Sequence, residues 1–195
     1  MPNERFLDQL EWIGALKRGH FLLASGRHSD QYVEKFDLLR HPNATEAACT
    51  DLIAELGHDA GVGVVVGPTT GGILLAFEIA RQLGVPAAYA ERARDGANER
   101  AFQRGTTFSA GTTALVVDDI LTTGGSIRET LRALEAREVA IRAVAVLVDR
   151  SGGTVDFGVS LYSLAHLDIA TWAPDDCPLC TVGTPLVKPG STAVQ

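Results

Sequence analysis

The sequence predicts an α/β fold in which a mostly parallel central sheet is covered by helices on both faces. Four short apolar runs, rich in β-branched and small residues, occupy 62–66, 87–90, 114–117 and 141–148. Segments with apolar residues at helical spacing separate these runs at 72–83 and 126–137. Continuous apolar strands that alternate with helices are typical of buried parallel strands joined by right-handed crossovers. Ligands of such sheets bind beyond the carboxyl ends of the strands, so we expect the chemistry there.

The segments before the core have their own patterns. Apolar residues at helical spacing predict a first helix over 4–18, and two short strands are predicted at 21–23 and 31–33. Pro42 then precedes a helical pattern, and Gly57 is suited to end it. The apolar runs of the expected parallel sheet begin after this helix.

Length and composition fit a single domain. The chain has 195 residues, of which 46% are hydrophobic and 21% charged, enough to form a real core. We expect one domain over 1–195, with 1–40 and 165–195 as additions to the core. Acidic residues outnumber basic ones by 24 to 17 without a basic tract, which argues against duplex nucleic acid as a partner. With neither a signal peptide nor a membrane-length apolar run, we expect a soluble, cytoplasmic protein.

The most informative segment covers 115–126 and reads LVVDDILTTGGS. Its last part offers backbone N–H groups, hydroxyls and glycines at a predicted helix N-terminus, which suits a phosphate monoester: Thr122, Thr123, Gly124, Gly125 and Ser126. Asp118 and Asp119 would repel a phosphate, so they are expected to accept hydrogen bonds from sugar hydroxyls or to hold a hydrated cation. The combination predicts a ribose phosphate site. The alternative is an ordinary strand-to-helix turn with solvated acids.

A second loop has the same character. It follows the apolar run that ends at Val66 and precedes a helix, and it consists of Gly67, Pro68, Thr69, Thr70, Gly71 and Gly72. The same reasoning predicts a second anion site. Taken alone, a tight connection between strand and helix explains it equally well. The P-loop pattern of nucleotide-binding proteins does not occur in the sequence.

The segment that ends at Ser126 resembles the phosphoribosyl-pyrophosphate motif of type I phosphoribosyltransferases. Further segments look like orotate phosphoribosyltransferases: FLLASGRHS at 21–29, AER at 90–92, VDRSGG at 148–153, CPLC at 177–180 and KPGS at 188–191. The resemblance extends from about residue 14 to 191. It implies the type I phosphoribosyltransferase fold, with a mostly parallel central sheet, flanking helices, an N-terminal hood and a flexible lid loop.

The resemblance implies a role for each loop. The loop 122–126 would hold the 5-phosphate, Asp118 and Asp119 would face the ribose hydroxyls, and the loop from Pro68 to Gly72 would take pyrophosphate. Mg²⁺ is implied as the cofactor, bound through pyrophosphate and ribose hydroxyls, with Asp118 and Asp119 as candidate ligands.

The resemblance also implies the substrates. Phosphoribosyl pyrophosphate would transfer its phosphoribosyl group to orotate through a transition state that resembles an oxocarbenium ion. Arg150 matches the arginine that binds the orotate carboxylate, although a surface ion pair is the alternative. Thr122 matches a base-side hydroxyl, and Tyr32 an aromatic position near the base.

The implied lid covers 92–106 and reaches across a two-fold homodimer into the neighbouring site. Arg92, Arg100 and Arg104 are its candidates for binding pyrophosphate, because arginine can grip phosphate oxygens in pairs. The alternative for these arginines is solvated loop charge.

The lid departs from the family pattern. No lysine lies between 36 and 187 and no histidine between 59 and 165, so the family's catalytic lysine and histidine are absent. Gln103 stands where a basic residue is common, and Ala24 replaces a lysine that many relatives have. Arginine does not transfer protons at neutral pH. A phosphoribosyltransferase for another base and a noncatalytic regulator that binds phosphoribosyl pyrophosphate therefore remain alternatives.

The three cysteines are Cys49, Cys177 and Cys180, too few for a disulfide framework and compatible with a reducing compartment. A single Cys-x-x-Cys pair is weak evidence for a metal, so a structural turn is favoured over a metal site or a reversible disulfide. His28 lies in a conspicuous motif, but a hydrogen-bonded loop histidine explains it equally well.

Overall fold

The structure is a computed structural model that describes residues 4–23, 25–57, 61–93 and 99–189. Ala24 and the part of the expected lid at 94–98 lie outside the described residues. The elements follow in chain order: α1 (Glu4–Trp12), β1 (Leu16–Leu22), β2 (His28–Val33), α2 (Lys35–Leu39), α3 (Pro42–Leu56), β3 (Val64–Pro68), α4 (Gly71–Leu83), β4 (Ala87–Arg92), β5 (Arg100–Ala101), β6 (Thr113–Leu121), α5 (Gly125–Glu135), β7 (Ala140–Asp149), β8 (Leu161–His166), β9 (Thr171–Trp172), a 3₁₀ turn (Pro174–Asp176) and α6 (Pro178–Thr181).

The central sheet has six strands in the order β5-β4-β3-β6-β7-β8. All neighbouring pairs are parallel except β4 with the two-residue edge strand β5. The predicted α/β fold with a mostly parallel sheet is confirmed. The four apolar runs correspond to β3, β4, β6 and β7, and α4 and α5 cover the predicted intervening helices.

Alternate side chains of the central strands enter two separate cores, as the two-residue period of a strand requires. One core packs the helices α3 and α4 against Val65, Leu115, Val117, Ala145 and Leu147. The other packs α5 against Val64, Val66, Val116, Val144 and Val146. Burial of each such valine or leucine contributes about 1.5–3 kcal/mol to the free energy of unfolding. The sheet edge that carries the loops is therefore a rigid support.

A smaller sheet packs beside the central one, in the order β1-β2-β9. Its strands are antiparallel, with Leu16 opposite Val33 and Ser29 opposite Thr171. It joins the N-terminal part of the chain to the part that follows the central sheet.

The predicted first helix over 4–18 is wrong at its C-terminal end. Helix α1 stops at Trp12, and Gly14 has a φ of +72°, a left-handed conformation that ends the helix. Residues from Leu16 onward belong to β1 because they pair with β2. The apolar residues at helical spacing extend by coincidence into the first residues of β1, which made the predicted helix too long. Strand β8 and helix α2 are further elements that the sequence pattern did not predict.

Within the described part of the chain, no helix combines the length and the apolar character needed to span a bilayer.

Candidate active site

Two of the loops singled out in the sequence, and Arg150, meet at one edge of the central sheet. They follow the carboxyl ends of the neighbouring parallel strands β3, β6 and β7. The backbone N–H of Arg150 donates to the carbonyl of Leu121, 2.8 Å away, which joins the ends of β7 and β6. This edge is where ligands bind in open α/β sheets.

The loop after β6 surrounds a cavity of about 250 Å³. Its walls are formed by Arg92, Asp118, Ile120, Leu121, Thr122, Thr123, Gly124, Gly125, Ser126, Ile127 and Glu129. All five residues of the predicted phosphate loop thus line one cavity at the N-terminus of α5. The free backbone N–H groups and the dipole of that helix favour an anion there.

Gly124 gives the loop its shape. It is the residue immediately before α5 and has a φ of +76°, in the left-handed region. A Cβ atom at this position would lie 2.9 Å from Cζ of Phe157. Glycine is therefore needed here both for the backbone conformation and for the contact with the ring.

Asp118 contributes the carboxylate in the wall of this cavity. Its Oδ1 accepts a hydrogen bond of 2.9 Å from the backbone N–H of Asp119. Burial of the carboxylate, and next the negative charge of Asp119, raise the pKa of Asp118 to about 7. A donor or a cation in the cavity would stabilise its ionised form.

Asp119 occupies a different environment. Its side chain is only 5% exposed, and its Oδ2 lies 3.0 Å from Nζ of Lys35. Oδ1 accepts a hydrogen bond of 2.8 Å from the backbone N–H of Ile120. Consecutive strand residues point to opposite faces, so Asp118 lines the cavity while Asp119 lies beside Lys35, outside its walls.

The second loop is closely packed against β6. A Cβ atom on Gly71 would lie 1.8 Å from Oδ2 of Asp119, and one on Gly67 would lie 2.0 Å from the carbonyl oxygen of Gly72. The bond between Thr69 and Thr70 is a cis peptide. The glycines thus permit contacts that no larger residue allows, and they bring this loop next to the paired acids.

Arg100 connects the two loops. Its guanidinium donates to Oγ1 of Thr69 at 2.9 Å and to Oγ of Ser126 at 3.2 Å, and its Nε lies 3.4 Å from Oε2 of Glu129. The side chain is 5% exposed, and burial lowers the pKa of Arg100 from its usual value. Arg100 therefore lies at the junction of the two loops of the same chain.

The other two lid arginines lie in different settings. Arg92, at the end of β4, lines the cavity and lies 3.7 Å from Oε2 of Glu129. Arg104 is mostly exposed and donates from its Nε to Oε1 of Glu91 at 3.1 Å. Of the three, Arg92 and Arg100 are beside the phosphate loop.

Tyr32 and Arg150 are close enough to interact electrostatically. Burial raises the pKa of the Tyr32 hydroxyl, while the positive charges of Lys17, Lys35 and Arg150 act to lower it. The ring of Tyr32 lies 5.8 Å from that of Phe21. Burial lowers the pKa of Arg150, and its buried Nε has no hydrogen-bond partner within the described structure. An anionic ligand beside Tyr32 would compensate this guanidinium.

Comparison with known proteins decides the family. The model of the phosphoribosyl transferase domain matches residues 37–174, which include both loops and Arg150. The chain belongs to the phosphoribosyltransferase family. Two relatives are named orotate phosphoribosyltransferase: that of Caldicellulosiruptor saccharolyticus is 43% identical over all of both chains, and that of Caldanaerobacter subterraneus is 42% identical over 98% of each.

Solved structures agree with this membership. Orotate phosphoribosyltransferase from Aeropyrum pernix is 31% identical and superimposes with a TM-score of 0.72, covering 82% of this chain and 92% of the other. Adenine phosphoribosyltransferase from Thermoanaerobacter pseudethanolicus is 17% identical with a TM-score of 0.59, over 70% of this chain and 88% of the other, and shares the fold alone. The type I phosphoribosyltransferase fold expected from the sequence is confirmed.

One residue of this phosphoribosyltransferase was missed by the sequence reasoning. Lys35 neutralises Asp119, but it is the first residue of the unpredicted helix α2 and belongs to no motif. Its contact partner lies 84 residues later in the chain, so only the tertiary structure reveals the pair.

Proposed function

We propose that this enzyme transfers the 5-phosphoribosyl group of phosphoribosyl pyrophosphate to orotate, giving orotidine 5′-monophosphate and pyrophosphate in pyrimidine biosynthesis. The observation that carries the proposal is the cavity in which Asp118 faces a phosphate loop, in a chain 43% identical over its whole length to an orotate phosphoribosyltransferase. Each part of the site is suited to bind one part of the substrates.

The loop 122–126 would bind the 5-phosphate. Backbone N–H groups at the start of α5 and the hydroxyls of Thr122, Thr123 and Ser126 are suitable donors for phosphate oxygens. A fixed phosphate would orient the ribose so that its hydroxyls meet the carboxylate of Asp118. Such positioning would lower the entropic part of the barrier.

The residues beside the cavity fit a divalent cation with oxygen ligands. One oxygen of Asp118 is held by a backbone N–H, which leaves the other for a ribose hydroxyl or for Mg²⁺, whereas both oxygens of Asp119 lie within 3.2 Å of the Lys35 ammonium. When bound, Mg²⁺ would neutralise charge on the pyrophosphate. We propose Asp118 as its side-chain ligand, with Asp119 as the second candidate.

The leaving pyrophosphate would bind between the second loop and the arginines. The N-terminus of α4 follows Pro68, Thr69 and Thr70 and offers N–H groups to an anion. Arg92, at the cavity wall, would stabilise the departing charge directly. Arg100 would act by holding the two loops at a fixed separation, and Arg104 is the remaining candidate on the lid.

Orotate would bind on the side of Tyr32 and Arg150. The guanidinium of Arg150, whose buried Nε has no hydrogen-bond partner in the described structure, suits the orotate carboxylate, and the ring of Tyr32 suits the flat base. The ring N–H of orotate is more acidic than that of an ordinary amide because the resulting negative charge is delocalised. The absence of a lysine or histidine on the lid is therefore compatible with turnover.

We also propose a homodimer that works in the cytoplasm. Helix α4 follows the second loop and exposes Leu74 and Phe77, at 46% and 66%, one turn apart on the same face. A second copy of the chain would cover this face beside the active site. The three cysteines are free, which agrees with a reducing compartment.

A panel of bases tests the activity. Purified enzyme with Mg²⁺ and phosphoribosyl pyrophosphate is given orotate, uracil, adenine, hypoxanthine or guanine, and pyrophosphate and nucleotide are measured. We expect turnover with orotate at a rate at least 100-fold above that with the other bases. Turnover restricted to another base would contradict the orotate assignment. Calorimetric binding of phosphoribosyl pyrophosphate, without turnover of any base, would indicate a noncatalytic regulator instead.

A further inference from the structure

Four metal-binding side chains meet at a place remote from the phosphate cavity. His20 lies on β1 and His28 lies on β2. Cys177 immediately precedes the short helix α6, and Cys180 is the third residue of that helix. One ligand atom from each residue lies within 4.8 Å of those of all the others. Three of the four side chains are buried, and that of Cys180 reaches the surface.

Four distances between the ligand atoms, from 3.0 to 3.8 Å, lie close to the edges of a zinc tetrahedron, and all the ligand atoms lie within 4.8 Å of one another. Nε2 of His20 lies 3.0 Å from Nδ1 of His28, and 3.4 and 3.8 Å from the Sγ atoms of Cys177 and Cys180. Sγ of Cys180 lies 3.3 Å from Nδ1 of His28. Tetrahedral Zn²⁺ with two nitrogen and two sulfur ligands requires edges of roughly 3.3 to 3.8 Å, from its bond lengths of about 2.0–2.1 and 2.3 Å.

A second contact prepares His20 for a metal. Its Nδ1 lies 2.8 Å from the carbonyl oxygen of Thr184, and a carbonyl can only accept a hydrogen bond. Nδ1 therefore carries the proton, and Nε2 presents its lone pair to the other three ligand atoms. A backbone carbonyl that orients a ligand histidine in this way is usual in protein metal sites.

We propose that His20, His28, Cys177 and Cys180 form a structural zinc site. The ligand set, two thiolates and two imidazoles, selects Zn²⁺ over hard cations such as Mg²⁺. Each cysteine binds as the thiolate and gives its proton to the solvent, while both histidines bind in the neutral form. All four positions of the tetrahedron are filled by protein, so the site holds no catalytic water.

The ion joins the two ends of the chain. The histidines come from the N-terminal hairpin of β1 and β2, and the cysteines from the segment after β9. Backbone pairing makes the same connection nearby: β2 pairs with β9, Leu22 N–H donates to the carbonyl of Val187, and Val187 N–H donates to the carbonyl of His20, both at 2.8 Å. Because β2 also carries Tyr32, the ion would stabilise the wall of the proposed base site.

The sequence favoured a structural turn at Cys177 and Cys180 because no second ligand pair was recognised. The missing pair is His20 and His28, eight residues apart on the two strands of a hairpin. Antiparallel pairing of Leu22 with His28 brings those histidines together. The inference does not depend on the reaction that the enzyme catalyses.

Metal analysis of the purified protein is the first test. We expect inductively coupled plasma mass spectrometry to find one zinc ion per chain. The zinc should remain bound after dialysis against a buffer that contains Mg²⁺. The chain stripped with a zinc chelator and titrated with Co²⁺ should develop the intense absorption between 600 and 750 nm of tetrahedral cobalt, with sulfur-to-metal bands near 350 nm. A dissociation constant for Zn²⁺ of about 10 nM or tighter is expected.

Two variants form a matched pair. Cys180→Ser removes the exposed ligand and should lose the bound zinc or weaken its binding at least 100-fold. Cys49→Ala removes the one cysteine outside the cluster and should keep one zinc per chain. The cobalt spectrum of the unmodified chain provides a readout even where a variant folds poorly.

Any one of several results would overturn the proposal. These are no metal in the isolated protein together with Zn²⁺ binding weaker than micromolar, a cobalt spectrum typical of octahedral oxygen ligation, or equal zinc content in the Cys180→Ser variant. A chain lighter by two hydrogens after isolation under nitrogen would show a disulfide between Cys177 and Cys180 and would also exclude the zinc site.

Discussion

Asp118 is held in the site at a cost in stability. Its carboxylate is buried next to Asp119, and its pKa is raised from 3.8 to about 7. Between about pH 4 and pH 7, the folded chain therefore still holds the Asp118 proton, which the unfolded chain has already released. By proton linkage, the free energy of unfolding falls as the pH rises through this interval.

Asp118→Asn should remove this cost. Without Mg²⁺ or substrate at pH 8, we expect the variant to be more stable than the wild type by about 1–2 kcal/mol, because an amide keeps the hydrogen bond and loses the charge. The difference should shrink as the pH approaches 4. Thermal unfolding followed by circular dichroism at several pH values measures it.

The same variant should lose at least 100-fold in kcat, because the proposed acceptor for the ribose hydroxyls is weakened. Gain in stability with loss of activity is typical of a group kept for function. A variant that is destabilised at pH 8, or one that retains full turnover, contradicts this account of Asp118.

Cys49 differs from the cysteines of the proposed zinc site. It is completely buried between α3 and the core, and burial raises its pKa to about 12. At pH 8 roughly one thiol in ten thousand would be ionised, since each pH unit below the pKa costs a factor of ten. Iodoacetamide should leave Cys49 unmodified in the native protein and label it in guanidinium, as mass spectrometry of peptides reports. Labelling of the native protein at the denatured rate would show that the residue is accessible.

At the scale of elements, the conformation of the loop before α5 depends more on Gly124 than on Gly125. Gly124→Ala introduces a Cβ at a φ of +76° and 2.9 Å from the ring of Phe157, whereas a Cβ on Gly125 meets only Oγ1 of Thr123 at 3.9 Å. We expect Gly124→Ala to lower the free energy of unfolding by about 1–3 kcal/mol and Gly125→Ala to change it by less than about 0.5 kcal/mol. Denaturant titration of the two variants compares them directly. Equal effects would show that the strained backbone does not determine the loop.

Arg100 should matter more than Arg104 because it ties two loops together. Arg100→Ala leaves Glu129 without its closest buried cation and removes donors to Thr69 and Ser126, so we expect about 2–4 kcal/mol of lost stability and a tenfold higher KM for phosphoribosyl pyrophosphate. Arg104→Ala removes an exposed pair with Glu91 and should leave the unfolding midpoint unchanged. Steady-state kinetics and chemical unfolding distinguish the two. Loss of substrate affinity in Arg104→Ala alone would assign the phosphate contact to Arg104 instead.

The strands and helices of the core could be predicted because each is a local pattern. Most of the valine-rich run 141–148 is buried on both faces, from residue 143 onward, and the Pro42 and Gly57 signals mark a helix whose ends the structure confirms. The end of α1 was not predictable from spacing, because pairing of Leu16 with Val33 overrides the helical pattern. The phosphate loop was recognised because its donors are contiguous. Arg100 was a candidate on the lid, but its link between the two loops, like the Lys35 contact and the His–Cys cluster, joins residues that are far apart in the chain and was not predictable.

At the scale of the whole molecule, the exposed face of α4 has consequences for assembly. Light scattering after gel filtration should give twice the mass of the chain. Phe77→Asp should shift the protein toward the monomer because it puts a charge into the proposed interface, while Trp12→Asp, the same kind of change at an 87% exposed aromatic residue elsewhere, should leave the mass unchanged. A monomeric wild type at micromolar concentration would contradict the proposed dimer.

The whole molecule combines a rigid central sheet with a peripheral layer made from both ends of the chain. The sheet carries the phosphate loop and Asp118, and the layer carries Tyr32 and the proposed zinc ligands. In the proposed reaction, the sheet would bind the sugar phosphate and the peripheral layer would bind the base. The family match and the cavity support the sugar-phosphate site on the sheet, and the panel of bases tests the base site in the peripheral layer.

A crystal structure with bound orotidine 5′-monophosphate is the most direct test of the account. We expect the 5′-phosphate on the backbone N–H groups and hydroxyls of 122–126, the ribose hydroxyls within hydrogen-bond distance of Asp118, and the base carboxylate on Arg150. A nucleotide bound with its phosphate elsewhere, and with this loop in contact only with solvent, would contradict it.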